Sequence, residues 1–265
     1  MIYPYGITLL ILCPLIFLAS FIDSIAGGGG LISLPAYVFA GLPVHTAYGS
    51  NKFSSCFGTL TAMVNYIRSG CVDYKSAISG GLGALLGSWI GTSLALSLSP
   101  VVLQICLMVI LPLAGIFIFS SQTMRRKNPE PSAADNSKPM TLKKQVTLSL
   151  LIGLVFGCYD GFFGPGTGMF MTLALSALIR LELIKAVGTT KILNFSSNMA
   201  SVLTWFLNGK ILFPIAIPCM ICSVAGGFLG SRMAIKIGQK FIRPVLAFVA
   251  LLLFVKILFD LIQRG

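Results

Sequence analysis

The sequence predicts an all-α fold: a polytopic transmembrane helical bundle with two inverted repeats and Gly-rich broken helices or hairpins. The first reason is composition, since 56% of the 265 residues are hydrophobic and only 10% are charged, whereas soluble domains carry about 25% charged residues. The second is that apolar stretches of roughly 18–20 residues, long enough to cross a bilayer core, recur along the chain. The third is an internal repeat, in which motifs of the first half return in the same order in the second.

Each half is predicted to contain an apolar helix, a Gly-rich break, a short apolar segment and three further spanning segments. Those of the first half fall at about 5–26, 30–41, 47–68, 75–97 and 101–121, and those of the second at about 145–163, 168–180, 186–207, 211–231 and 244–262. The stretch between the halves is rich in Pro, Ser, Asn and charge and has no apolar periodicity, which indicates a solvated linker. The chain thus divides into a first repeat (1–121), a linker (122–144) and a second repeat (145–265).

Four pairs of motifs carry the repeat. They are Asp23–Gly27 with Asp160–Gly164, AYGSNK (47–52) with AVGTTK (186–191), Gly70 with Gly209, and GALLGS (83–88) with GGFLGS (226–231). The last pair has a small-xxx-small pattern, which allows membrane helices to pack closely. Because all four pairs occur in the same order, we interpret the two halves as copies of one unit.

The distribution of Lys and Arg orients the two halves. With the linker in the cytoplasm and five segments in each half, most basic residues fall in cytoplasmic loops, while the opposite side keeps Lys210 and Arg264. The positive-inside rule requires this asymmetry, and it places both termini in the periplasm. An odd number of crossings makes the repeats inverted, whether segments 30–41 and 168–180 span fully or are re-entrant. The net charge of +12 is therefore attributed to membrane anchoring, and no nucleic-acid partner is predicted.

The Gly-rich stretches lie inside predicted membrane segments. Inverted repeats are the architecture of secondary transporters, whose substrate site lies near the midplane where helices are broken. Glycine adopts backbone angles that other residues avoid, and freed N–H groups at the start of segments 30–41 and 168–180 would face a cavity and attract an anion. Tight helix packing or a flexible turn is the alternative explanation. The candidate residues are Gly27, Gly28, Gly29 and Gly30 in the first break, and Gly164, Gly166 and Gly168 in the second.

Lys52 and Lys191 are matched by the repeat and lie near the start of apolar segments. A lysine at the bilayer centre costs several kcal/mol unless it snorkels to an interface, and snorkelling is the alternative explanation. Polar side chains accompany both lysines, and Lys191, Asn194 and Asn198 share one helical face at i, i+3 and i+7. We therefore predict that both lysines bind a small oxyanion, together with the polar residues Asn51, Ser55, Thr190, Asn194 and Asn198.

Asp23 and Asp160 lie beside the two breaks. Each is interpreted as the partner of a lysine or the cap of the following helical turn, or one of them carries a coupling proton or binds a cation. His45 is interpreted as an interfacial residue, and the seven cysteines as small apolar packing residues. The single histidine and the lack of a second close Cys pair argue against a metal site. No Walker A, H-E-x-x-H or G-x-S-x-G motif occurs, so we predict no catalytic residues and no cofactor.

The Asp-containing Gly-rich breaks, the AYGSNK and AVGTTK motifs and the two-half layout resemble the sulfite exporter TauE/SafE family, a group of small bacterial inner-membrane permeases. The resemblance covers nearly the whole chain outside the linker. It implies transport of sulfite, thiosulfate, sulfonates or related carboxylates. Carried over residue by residue, it implies roles for Asp23, Gly27–Gly30, Asn51 and Lys52, and for Asp160, Gly164–Gly168, Thr190 and Lys191. In the second copy Pro165 interrupts the glycines, and Thr190 stands where the first copy has Asn51.

The function predicted from these observations is secondary transport of small anions by alternating access, in the bacterial inner membrane. Its predicted partners are the lipid bilayer, the anion and a coupling proton or sodium ion. A passive anion channel lined by the same residues is the alternative.

Overall fold

The computed structural model describes residues 4–103, 105, 140–238, 240 and 242. Across these residues the regular structure is helical and no strand occurs, which confirms the all-α prediction. The predicted segment 101–121 beyond its first few residues, the linker up to residue 139 and the predicted segment 244–262 lie outside the described residues.

The helices follow the predicted order of segments. They are α1 (Tyr5–Ala26), α2 (Gly30–Phe39), α3 (Val44–Arg68), α4 (Tyr74–Ser97), α5 (Leu142–Phe162), α6 (Thr167–Leu178), α7 (Leu183–Leu207) and α8 (Phe213–Ile237). Both α3 and α7 begin three residues before the predicted start, directly after the extended residues Pro43 and Glu182. α5 begins at Leu142 rather than 145, because Lys143 and Lys144 are good helix formers and continue the helix into the predicted linker.

Among the described helices, four are long and apolar enough to cross a membrane, namely α1, α4, α5 and α8. α2 and α6 have 10 and 12 residues, so at about 1.5 Å per residue they are too short to cross a core of about 30 Å. α2 folds back along α1, since Ala36 and Tyr37 of α2 share an apolar cluster with Leu12 and Ile16 of α1. α6 does the same against α5, so each break is the bend of a helical hairpin.

The packing partners correspond between the halves. α4 packs against α5 and α7, and the matching helix α8 packs against α1 and α3. Glycines bring these backbones together: a Cβ built at Gly87 or Gly91 of α4 would lie 2.1 or 2.0 Å from a backbone oxygen of α5. A Cβ at Gly226 of α8 would lie 2.3 Å from the carbonyl oxygen of Phe17. The small-xxx-small motifs therefore lie at helix contacts, as small residues do in membrane bundles.

α3 and α7 pack against each other in the middle of the bundle and run antiparallel. Gly49, near the start of α3, lies against the carbonyl of Lys210, just past the end of α7. Gly188, near the start of α7, lies against the carbonyl of Cys71, just past the end of α3. The same contact is thus made twice with the halves exchanged, so the matched helices α3 and α7 point in opposite directions.

Candidate functional site

The two Gly-rich breaks meet at the centre of the bundle. Gly27 ends α1 with φ 81°, and Gly164 follows α5 with φ 94°, both in the left-handed region that favours glycine. A Cβ at Gly27 would lie 2.3 Å from the carbonyl carbon of Gly168, and one at Gly30 would lie 3.0 Å from Pro165 Cα. The carbonyl of Gly27 accepts a hydrogen bond from the N–H of Met169 at 3.2 Å. Each bend therefore supports the other, and a side chain at Gly27 would separate them.

Half of the backbone N–H groups of the two breaks are already hydrogen-bonded within the described part of the chain. Gly27 donates to the carbonyl of Asp23 at 2.7 Å, Gly164 donates to the carbonyl of Tyr159 at 3.2 Å, and Gly29 donates to Asp23 Oδ1 at 3.3 Å. Gly30 and Gly168 donate to no atom within the described part of the chain. Both line a cavity that lies between the two breaks. The expected set of freed N–H groups is thus reduced to these two.

Lys52 is buried and pairs with the aspartate of the other half. Its Nζ lies 2.7 Å from Asp160 Oδ2, and only 5% of the lysine side chain is exposed. Nζ also donates to Asn198 Oδ1 at 3.1 Å. Asp160 Oδ2 accepts a second hydrogen bond from the hydroxyl of Ser197. The snorkelling alternative does not apply to Lys52, because its ammonium group points to these partners inside the bundle.

Lys191 makes the reciprocal pair with Asp23. Its Nζ lies 3.0 Å from Asp23 Oδ2 and also donates to the backbone carbonyl of Asp23. The lysine side chain is 1% exposed, whereas 24% of the aspartate side chain is exposed. Each half therefore supplies a lysine to the carboxylate of the other half. A buried charge is tolerated when it is paired and hydrogen-bonded, and these four charges sum to zero.

A cavity of about 50 Å³, counted as the space open to the centre of a water molecule, lies beside the two ion pairs. One water needs about 10–15 Å³ by this measure, so the cavity has room for a few waters or one small ion. Twelve of the predicted residues line it, and they come from both breaks and from α1, α3, α5 and α7. They are Asp23, Gly27, Gly29, Gly30, Asn51, Lys52, Ser55, Asp160, Gly164, Gly168, Asn194 and Asn198.

Four of the predicted residues lie away from the cavity: Gly28, Gly166, Thr190 and Lys191. Thr190 is buried and accepts a hydrogen bond from Thr172 of α6 at 3.1 Å, and Lys191 is held by Asp23. Their repeat partners Asn51 and Lys52 do line the cavity. The cavity is therefore displaced towards the first half, and the two copies of the motif have different surroundings.

Sequence reasoning missed four hydroxyl residues that line the cavity: Ser20, Ser33, Thr59 and Ser223. The repeat could have identified Thr59, because Lys52, Ser55 and Thr59 have the same i, i+3, i+7 spacing as Lys191, Asn194 and Asn198. Ser20 lies three residues before Asp23 and so shares its face of α1. Ser33 and Ser223 reach the site only through the hairpin and the contact of α8 with α3, and no short motif marks them.

Two buried polar atoms of the cavity wall have no hydrogen-bond partner within the described residues. They are the Ser33 hydroxyl and Asn194 Oδ1, on residues that are 3% and 5% exposed. Because unpaired buried polar groups are costly, their presence at a cavity indicates that water or a ligand completes them.

The remaining candidates lie elsewhere. The ring of His45 packs against that of Trp205, with centroids 5.9 Å apart, and neither residue lines the cavity. Within the described ranges, no group of three or more His, Cys, Asp or Glu residues could hold a metal ion.

Comparison with known proteins gives one consistent result. The model of the family "Sulfite exporter TauE/SafE" matches residues 12–257. A "Probable membrane transporter protein" of Haemophilus influenzae is 35% identical over 245 residues, covering 92% of each chain. "Probable membrane transporter protein ORF9" of a Sinorhizobium species is 33% identical, covering 92% of this chain and 90% of the relative. YfcA of Escherichia coli K12, also called a probable membrane transporter protein, is 32% identical, and the alignment covers 92% of this chain and 87% of the relative.

No solved structure matches the chain significantly. The description of these relatives as probable membrane transporters agrees with the described helices that are long and apolar enough to cross a membrane. The chain therefore belongs to the sulfite exporter TauE/SafE family, a family of multi-pass membrane transporters.

Proposed function

We propose that the protein is a secondary transporter of small anions, sulfite or other sulfur-containing or organic anions such as sulfonates, in the bacterial inner membrane. The observation that carries the proposal is the buried Lys52 ammonium group at a small cavity where two broken helices meet. Lys52 attracts the anion, while the Ser33 hydroxyl and the free N–H groups of Gly30 and Gly168 are positioned to donate hydrogen bonds to it. Asn51, Asn194 and Asn198 complete the polar wall.

The size and chemistry of the cavity support a small substrate. A space that holds a few waters suits sulfite or a short sulfonate and excludes large organic anions. Ile16 and Ala19 form an apolar part of the wall, which suits the alkyl group of a sulfonate. The family description names sulfite export, and this agrees with the donors at the site.

Alternating access is supported by the antiparallel relation of α3 and α7 and by the hairpins at both breaks. In inverted-repeat transporters, one repeat rocks against the other around a midplane site. The cavity lies on the side of the first repeat, and in the opposite state it forms on the side of the second repeat, next to Thr190 and Lys191. In this arrangement the linker is cytoplasmic and both termini are periplasmic.

The test is uptake of labelled sulfite and labelled methanesulfonate by proteoliposomes, with and without the same unlabelled anion inside. A transporter accelerates uptake when the inside is loaded, whereas a passive channel does not. Lys52→Ala and Lys191→Ala are each expected to slow the flux by about tenfold to a hundredfold, the effect of losing a hydrogen bond to a charged group. Lys75→Ala, at an exposed residue in the first turn of α4, is the matched control and keeps the wild-type rate.

Flux at the wild-type rate in both lysine variants would refute the lysine site. Uptake without acceleration by internal anion would favour the channel alternative. If neither anion enters under any gradient, the transporter proposal is wrong.

A further inference from the structure

The charges at the site are balanced before any anion enters. Asp23, Lys52, Asp160 and Lys191 pair reciprocally and sum to zero. A monoanion placed in the cavity adds one negative charge to a water-poor region, where an uncompensated charge is very costly. A positive charge must therefore enter with the anion, and a proton on one of the two carboxylates is the simplest form it can take.

The two carboxylates are not equivalent. Asp160 Oδ2 accepts hydrogen bonds from both the Lys52 ammonium group and the Ser197 hydroxyl. The Asp160 side chain is 7% exposed. Asp23 is 24% exposed, and the repeat position that matches Ser197 is Gly58. Gly58 has no hydroxyl to donate, and a Cβ there would lie 2.3 Å from Ser223 Oγ and 2.4 Å from Ser20 Oγ. Asp23 therefore lacks the hydroxyl donor that Asp160 has, and its second donor is the backbone N–H of Gly29 at the longer distance of 3.3 Å.

The residues that surround Asp160 also hold it more firmly than those around Asp23 hold Asp23. Ser197 is backed by Ser88, which donates to its carbonyl at 2.7 Å. Ser88 also bonds to Ser201, whose hydroxyl lies 2.6 Å from that of Thr92. These four residues are fully buried, so Asp160 is fixed in a closed hydrogen-bonded layer. Both carboxylates line the cavity, but the Asp23 side chain is 24% exposed and that of Asp160 only 7%.

The charged and titratable groups around Asp23 come from three helices. Lys191 of α7 contacts it directly, and Lys52 of α3 and Asp160 of α5 share the cavity wall with it. Tyr66 of α3 donates its hydroxyl to the carbonyl of Ser24 at 3.0 Å. Among the residues of α2 and α8 that line the cavity, none is titratable.

From these contacts we infer that Asp23 takes up one proton when a monoanion binds beside Lys52, while Asp160 stays ionised as the anchor of Lys52. The inference rests on the proposed anion transport. Protonated Asp23 no longer neutralises Lys191, which keeps its hydrogen bond to the Asp23 carbonyl. The two lysines then balance the anion and Asp160, so the loaded site is again neutral. Transport is therefore an electroneutral movement of one anion with one proton.

The experiment measures methanesulfonate uptake by proteoliposomes, because the charge of this anion does not change near neutral pH. In the wild type, an imposed pH gradient is expected to give about tenfold accumulation for each pH unit, with proton entry reported by a trapped dye and no dependence on membrane potential. Exchange against internal methanesulfonate measures whether the Asp23→Asn variant still carries the anion. When uptake is normalised to this exchange, the pH gradient is expected to give no more uptake in Asp23→Asn than is seen without a gradient. Ser197→Ala keeps the proton coupling of the wild type, because Asp160 is not the carrier.

A second measurement covers the case in which Asp23→Asn does not fold. Infrared difference spectra on adding methanesulfonate are expected to contain the band of a protonated carboxylic acid. The band shifts in Asp23→Glu and stays unchanged in Asp160→Glu. A band that follows residue 160, coupling that survives in Asp23→Asn, or uptake driven by a sodium gradient would overturn the inference while leaving anion transport intact. Absence of exchange in the wild type for both methanesulfonate and sulfite would remove the proposed function and this inference together.

Discussion

At the scale of single residues, the central feature is an ion pair that contributes to stability only while both partners are present. Lys52 and Asp160 are removed from water, and each compensates the desolvation of the other. Ser197 and Asn198 add hydrogen bonds to the carboxylate and to the ammonium group. Removing one partner leaves a buried charge without compensation, whereas removing both leaves none.

We therefore expect Lys52→Met to lower the free energy of unfolding by about 3–5 kcal/mol, as breaking a buried pair does. Asp160→Leu is expected to have a similar effect. The double variant loses less than the sum of the two single losses, with a coupling of about 0.5–3 kcal/mol. Equilibrium unfolding in lipid–detergent micelles measures all four proteins. Losses that simply add would mean that the two residues do not stabilise each other.

The residue scale also shows how far sequence reasoning reaches. Pairing with a lysine was one of the alternatives for both aspartates, and both are paired. The sequence does not say that each pair joins opposite halves, because that depends on the antiparallel packing of α3 against α7. The sequence repeat also predicts the same role for Thr190 and Lys191 as for Asn51 and Lys52. The cavity separates them, since it forms on one side of the bundle only.

At the scale of elements, glycine spacing determines how closely the helices approach. α4 and α5 interlock along their length. Gly87 and Gly91 of α4 lie against the carbonyls of Leu154 and Cys158 of α5. The α5 glycines lie in turn against carbonyls of α4: Gly153 against Gly80, Gly157 against Ala84 and Gly161 against Ser88. The contact of α1 with α8 has fewer such glycines, and Ser20 there donates to the carbonyl of Ser223 at 2.7 Å. Ser20 and Ser223 of this second contact both line the cavity.

Gly87→Ala is expected to lower the free energy of unfolding by about 1–3 kcal/mol, the usual cost of overpacking. The reason is that its Cβ would lie 2.1 Å from the carbonyl oxygen of Leu154, so α4 and α5 must move apart. Gly6→Ala in the first turn of α1 is the control, because no atom lies within 4 Å of its Cβ. Thermal unfolding of both variants in detergent measures the difference. Equal midpoints would show that α4 and α5 accommodate the methyl group without cost.

Helix positions were predictable from apolar length, and helix ends were less so. α8 runs to Ile237, six residues beyond the predicted end, because the basic residues Arg232 and Lys236 continue the helix rather than ending it. Arg232 packs over the ring of Phe228, with Cζ 4.0 Å from its centroid. A change from apolar to charged residues thus marks where a helix leaves the apolar layer and not where it stops.

At the scale of the whole molecule, the antiparallel relation of α3 and α7 predicts which loops lie on opposite sides of the membrane. Ser69 and Asn208 are matched by the repeat, exposed, and placed just after α3 and α7. We expect Ser69→Cys to be labelled by a membrane-impermeant thiol reagent from the cytoplasmic side only, and Asn208→Cys from the periplasmic side only. Labelling is compared in whole cells and inverted vesicles, starting from a cysteine-free chain. Labelling of both positions from one side would exclude inverted repeats.

Composition and the repeated motifs were sufficient to predict the class of the molecule and most of the cavity wall. They were sufficient because apolar length and paired motifs are local properties of the sequence. The displacement of the cavity towards the first half was not predictable, since it depends on which side chains the helix packing brings to the site, Ser20 of α1 and Ser223 of α8 among them. The approach of Gly30 to Pro165 likewise depends on how two distant bends fit together.

The reciprocal ion pairs have a consequence for how such a chain could arise. One half inserted alone would bury a lysine with no carboxylate opposite it, and an aspartate with no ammonium group. Two identical halves inserted in opposite directions would complete both pairs at once, with no change of sequence. An ancestral single-repeat protein with this motif would therefore have been functional only as a dual-topology dimer. Fusing two such copies into one chain would remove the need for identical halves, and a difference such as Gly58 in one and Ser197 in the other could then arise at a single site.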